Sequence, residues 1–97
     1  MNTTRAVDDF VDLSAFQRDV LWVIARKGGL SGATICATLE GYYDDEVNPG
    51  SIYPGLNRLV DDGLVKKSKR DERTNEYTLT DTGRRALSAR RVWEVDV

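Results

Sequence analysis

Asn48 followed by Pro49 fixes a helix start more firmly than any other residue pair in this 97-residue chain. Asparagine at an N-cap accepts from the first free amides, and proline at the first helical position loses only an N–H that has no partner there anyway. Beyond them Ile52, Leu56, Leu59 and Val60 recur at helical spacing until Gly63 supplies a stop. The spacing predicts a helix from Asn48 to Asp62 with one buried side. With about 100° per residue and Ile52 at the centre of that side, Gly50, Pro54, Asn57, Arg58 and Asp61 point outward. Ser51 and Tyr53 fall on the flanks. Pro54 deletes an amide within the first two turns, and with Gly50 and Gly55 it leaves this part of the helix thin.

The elements on either side are bounded by similar signals. Ser14 with Gln17 three residues on reads as a capping box, and Phe16, Val20, Val23 and Ile24 form a buried stripe, widened by Leu21 and Trp22, that ends at Gly28-Gly29. Leu30 is expected as a very short strand. Ser31 then caps a second helix with Ile35, Leu39 and either Tyr42 or Tyr43 facing inward. After the third helix the period shortens: Tyr77 and Leu79 alternate with polar neighbours as a half-buried strand does. With Leu64, Val65 and the polar turn from Arg70 to Thr74 they give a two-stranded hairpin. Thr80 caps a last helix, Asp81 favours its dipole, and Leu87, Arg90, Arg91 and Glu94 carry it to the C-terminus. These boundaries divide the chain into an N-terminal arm (1–13), a domain (14–80) and a C-terminal helix (81–97).

Composition narrows the chemistry. The chain has no histidine and one cysteine, Cys36, which removes internal disulfides, zinc sites and the residue that titrates most readily near neutrality. An enzyme is not expected, nor is any cofactor or bound metal. Cys36, alone in an apolar helix, reads as packing more than as a redox sensor. No apolar run approaches the roughly 20 residues of a membrane span, and the first residues lack the pattern of a secretory signal, so a cytoplasmic location without membrane contact is expected. Net charge is −2, but it is unevenly spread. Residues 1–47 hold four basic and eight acidic side chains, a net −4, and residues 48–97 hold ten and eight, a net +2. Lys66, Lys67, Lys69, Arg70 and Arg73 crowd into eight positions, a basic patch on an acidic protein.

Helix, helix, helix, hairpin, helix is the order of a winged helix-turn-helix domain, mainly α with a small β-hairpin. A lone hairpin is marginal in water and must pack on the helices. A helix laid in the major groove of double-stranded DNA would bring the basic hairpin against flanking phosphates. On that reading Arg58 is placed to pair with guanine and Asn57 with adenine, while Tyr53 and Ser51 suit phosphate contact. Asn48, Gly50 and Pro54 bring backbone close, and the five basic residues of the hairpin supply the electrostatic term. The same scaffold also serves as a protein–protein interaction module, since fold alone does not settle function. Such a module has no need of a basic cluster beside the exposed face of the third helix.

The run Val47-Asn48-Pro49-Gly50-Ser51-Ile52-Tyr53-Pro54-Gly55-Leu56-Asn57-Arg58-Leu59, followed by Asp61-Asp62-Gly63-Leu64-Val65, resembles the core motif of PadR-like transcriptional regulators. Glu76-Tyr77-Thr78-Leu79-Thr80-Asp81-Thr82-Gly83 is similar to the strand and helix start that close the wing in that family. The resemblance spans roughly Leu13 to Leu87. It implies a homodimeric repressor or activator on a pseudo-palindromic operator, one recognition helix per half-site, joined by C-terminal helices. Longer members carry an extended helical C-terminal domain where this sequence offers one helix. Leu87, Val92 and Trp93 are therefore expected at the dimer interface, with the segment around Phe10 and Val11 as a possible partner. Some members stack planar aromatic effectors on tryptophan, a role open to Trp22 and Trp93, although tryptophan on an apolar helix face is more often core. Asp outnumbers Glu by 11 to 5 and Arg outnumbers Lys by 10 to 4, a bias in keeping with short PadR-like proteins of salt-loving archaea.

Overall fold

A computed structural model describes residues 10–96. Four helices and three short strands follow in the order α1 (Ala15–Arg26), β1 (Leu30–Ser31), α2 (Gly32–Tyr43), α3 (Pro49–Asp61), β2 (Val65–Lys69), β3 (Asn75–Leu79) and α4 (Asp81–Asp96). This is the winged helix-turn-helix arrangement. Part of the expected arm lies outside the described residues. The remainder belongs to the body, because Phe10 and Leu13 are buried in the core, and Arg18 and Arg90 approach the Phe10 ring at 4.9 and 5.5 Å.

Each helix begins where a polar side chain satisfies its free amides. The Ser14 hydroxyl accepts from Gln17 N at 3.1 Å while the Gln17 carboxamide accepts from Ser14 N at 2.9 Å, completing the capping box. Ser31 accepts from Thr34 N, Asn48 Oδ1 accepts from Gly50 N at 2.8 Å, and Thr80 Oγ1 accepts from Gly83 N at 3.0 Å. Such caps are each worth about 1 kcal/mol.

The core draws on every helix and on the wing. Val20, Leu21 and Ile24 of α1 meet Ile35 and Leu39 of α2, Ile52, Leu56 and Leu59 of α3, and Leu64, Val65 and Tyr77 of the hairpin. Of the two candidate tyrosines on α2, Tyr43 turns inward, its hydroxyl donating to Asp19 Oδ2 at 2.6 Å, and Tyr42 is exposed. The hairpin is not two-stranded but the larger part of a three-stranded antiparallel sheet of order β1-β3-β2. Leu30 stands opposite Tyr77 and Ser31 opposite Glu76, so the edge of the hairpin nearest the helices is covered.

Two junctions position α3. Before it, α2 grips the approach loop: the Cys36 thiol donates to the Val47 carbonyl oxygen at 3.4 Å, and Val47 N donates to Glu40 Oε2 at 2.9 Å. Burial, and secondarily the Glu40 charge, push the Cys36 thiol pKa up, so the thiolate is disfavoured and the side chain is a packing residue. After α3, Gly63 adopts φ +77°, a left-handed turn that glycine enters without strain. Thr80 then closes the base of the hairpin, its N–H donating to the Leu64 carbonyl at 3.1 Å and its hydroxyl to the Gly63 carbonyl at 2.6 Å. Gly83 lies directly on the Leu64 carbonyl, where no Cβ fits.

Candidate nucleic-acid interface

Helix α3 presents the side that its periodicity predicts. Ile52, Leu56 and Leu59 are buried, whereas Gly50, Ser51, Tyr53, Pro54, Asn57, Arg58 and Asp61 are exposed. The helix continues through Pro54, which has no amide to give the Gly50 carbonyl. Gly50 makes room for the cap as well, since a Cβ there would stand 3.2 Å from Asn48 Oδ1. The thin stretch is one-sided, however. Gly55 is buried, and a Cβ on it would meet Gln17 and Phe16 at 3.7 and 3.9 Å. Its missing side chain serves the packing of α3 on α1 and does not open the helix towards a groove.

Arg58 is half-exposed and its Nε–H donates to Asp62 Oδ2 at 2.9 Å, one turn further on. An exposed i,i+4 pair of this kind contributes only about 0.3–0.5 kcal/mol. It holds the guanidinium along the helix at little cost to any ligand that would take it. Tyr53 is about half exposed and also structural: its ring lies so close over Gly32 that a Cβ there would collide at 2.8 Å.

The basic residues of the hairpin do not form one patch. Side chains alternate along a strand and directly opposed residues share a face. Lys67 opposes Tyr77 and Lys69 opposes Asn75, so both lie on the face that Val65 and Tyr77 turn to the core, extended outward past its edge. Lys66 opposes Thr78 and points to the other face with Ser68 and Glu76. Arg70 is engaged within the molecule: its Nε–H donates to Glu76 Oε2 at 3.0 Å and its Nη2 to the Gly29 carbonyl. It braces the wing against the end of α1. Arg73 stands in the wing turn, which Asp71 organises by accepting from Arg73 N and Thr74 N at 2.9 and 2.8 Å. Those backbone bonds, first among several causes, hold the Asp71 carboxyl below its ordinary value.

A cleft of about 240 Å³ separates the start of α2 from the wing, between Ser31, Gly32 and Ala33 on one side and Arg73, Thr74 and Asn75 on the other, with Tyr53 and Tyr77 at its base. Sequence reasoning had no signal for it, because its parts come from four separated segments. Asp62 was also missed as a partner of Arg58, although the i,i+4 spacing is visible in the sequence.

The expected dimer residues divide. Leu87 is buried in the core of its own protomer, so its apolar character serves the monomer. Val92, Trp93 and Val95 are 62%, 55% and 83% exposed. Arg90 lies over the Trp93 ring at 4.5 Å and pairs with Glu94 at 2.8 Å. Trp22 is half-buried against the core.

A buried three-helix body, an outward-facing third helix and a braced β-hairpin beside it define a winged helix domain of the kind found in transcription regulators. A family model described as the transcriptional regulator PadR-like family matches residues 20–89, and the chain belongs to that family. Among solved structures, a complex structure of hsRosR-S4 is 44% identical, with a TM-score of 0.90 over 94% of this chain and 78% of that one. A complex of hsRosR-SG gives 44% identity and a TM-score of 0.86 over 91% and 78%. RosR of H. salinarum grown from NaBr gives 45% and 0.83 over 88% and 76%. No curated protein was found to match the chain. Among the described residues no helix is long and apolar enough to cross a membrane.

Proposed function

We propose that this transcription regulator binds double-stranded DNA sequence-specifically as a homodimer in the cytoplasm, placing α3 in the major groove and the wing against the adjacent backbone. The observation that carries the reading is the exposed face of α3, where Asn57 and Arg58 stand clear of the core with Lys67, Lys69 and Arg73 on the flanking wing. Arg58 exchanges its weak bond to Asp62 for the O6 and N7 acceptors of guanine, and Asn57 reads adenine. Lys67, Lys69 and Arg73 neutralise phosphates. Two copies joined through Val92, Trp93 and Val95 of α4 present two such faces to a pseudo-palindromic site. Attraction must be local, because the chain as a whole carries −2. The test is anisotropy titration of duplexes recovered by selection from a random pool, against scrambled duplexes, at several salt concentrations. Tight binding to the selected set with a steep salt dependence is expected. A protein that enriches no sequence and binds no duplex at low salt overturns the reading.

A further inference from the structure

The cleft between the start of α2 and the wing has the makings of an anion seat. Its lining includes Arg73, the hydroxyls of Tyr53 and Tyr77, the Asn75 carboxamide and the first turn of α2, and no carboxylate. Amides in a first helical turn point outward without intrahelical partners, and the helix dipole favours negative charge there. Glu76, the nearest acidic residue in sequence, belongs to the opposite face of β3 and is tied up by Arg70. A cleft free of carboxylates is a departure in a chain with 16 acidic residues.

The second and independent observation is Tyr77. The residue is only 3% exposed, yet its hydroxyl makes no hydrogen bond with any described residue, and the side chain lines the cleft. Leaving a buried donor unmet costs about 1–3 kcal/mol, and a phenol placed purely for packing would be better replaced by a phenyl ring. Burial and the neighbouring Tyr53 raise its pKa, which keeps the hydroxyl protonated as a donor.

We infer that the cleft seats one phosphodiester of the DNA backbone, with the Tyr77 hydroxyl, the amide end of α2 and Arg73 donating to its oxygens. This rests on the proposed DNA binding and adds to it a contact between the recognition helix and the wing that fixes the register of the domain on the duplex without reading sequence.

The test uses the full chain and the conservative variant Tyr77→Phe. Because the lost hydroxyl is unpartnered in the free protein, the variant should melt at or above the wild-type temperature while binding both selected and scrambled duplexes about tenfold more weakly, the loss of one hydrogen bond to a charged group. Single methylphosphonate linkages stepped along each strand then locate the contact. At one position per half-site the penalty seen with wild type should vanish in Tyr77→Phe. Unchanged affinity in the variant, or penalties that persist at every position, would overturn the seat while leaving DNA binding intact. Failure of wild type to bind any duplex would instead remove the reading on which it rests. A seat for free anions would show as amide shifts at Ala33 on adding inorganic phosphate, with every methylphosphonate penalty retained, and would also overturn the assignment to the DNA backbone.

Discussion

Arg58 and Asp62, one turn apart on the exposed side of α3, share a 2.9 Å ion pair that points the guanidinium along the helix. The pair is too exposed to matter much for stability. It matters as a competitor of DNA: the carboxylate occupies the fork that would otherwise pair with a base.

Arg58→Ala is expected to change stability by no more than about 0.5 kcal/mol and to reduce discrimination at one base pair by about 1–3 kcal/mol. Asp62→Ala should do the reverse of a simple loss, strengthening binding to selected and scrambled duplexes alike and so lowering their ratio. Competition titrations with duplexes differing at single positions measure both. Equal weakening of all duplexes by Arg58→Ala would assign the residue to a phosphate.

The wing separates the roles of its cations. Lys67→Ala with Lys69→Ala should weaken binding to all DNA and reduce the slope of log affinity against log salt by roughly 1.8, two phosphates at about 0.9 each. Lys66, on the other face, should contribute little. Arg70→Ala should act by loosening the wing, visible as faster amide exchange in β2 and β3 of the free protein. Arg70→Ala with unaltered exchange and a slope change equal to that of a lysine would show that it meets phosphate directly.

Gly83→Ala should be among the most destabilising single-methyl changes available, about 2–3 kcal/mol, because the new carbon meets the backbone carbonyl of Leu64 rather than a side chain able to move. Urea titration measures it. Gly41→Ala, with nothing within 4 Å of the added carbon, should stabilise by a few tenths to 1 kcal/mol.

Tyr43 gives an alkaline signature. Burial, then its bond to Asp19, pushes its pKa up to about 12. A folded value above the unfolded value of about 10 contributes stability that is full below that pH and is lost as pH rises through about 12. Wild type should therefore lose stability across this window. Tyr43→Phe should start about 1 kcal/mol lower at neutral pH and fall less steeply, with Tyr77, shifted the same way, still contributing. Parallel curves would refute the assignment.

Dimerisation is tested at α4. Val92→Arg or Trp93→Glu should leave the monomer fold intact, since both side chains are exposed, and should halve the mass seen by sedimentation. Leu87→Ala should instead unfold the protomer by about 2–4 kcal/mol. Unchanged sedimentation in both α4 variants would place the interface elsewhere.

The helix starts and the outward face of α3 were legible because their causes are local. Ser14, Ser31, Asn48 and Thr80 cap their own first turns, and periodicity alone turns Asn57 and Arg58 out. What escaped depends on neighbours distant in sequence. An apolar stripe on α4 shows that Leu87 wants burial, but not that its own core supplies it. Gly55 beside Gly50 looks equally thin, although one faces α1 and the other solvent. Arg70 resembles the lysines around it until Glu76 and the Gly29 carbonyl are brought to it. The body likewise reaches back to Phe10, which only the tertiary fold reveals.

The closure of the hairpin base by Thr80 and Leu64 makes the wing an excursion whose ends are already fastened. Residues added to or removed from its tip would alter how far it reaches sideways along the duplex without disturbing the angle between α3 and α4. Two quantities that a DNA reader must tune, the breadth of its footprint and the separation of its two reading heads, are thereby set by different parts of the chain and are free to diverge independently among relatives.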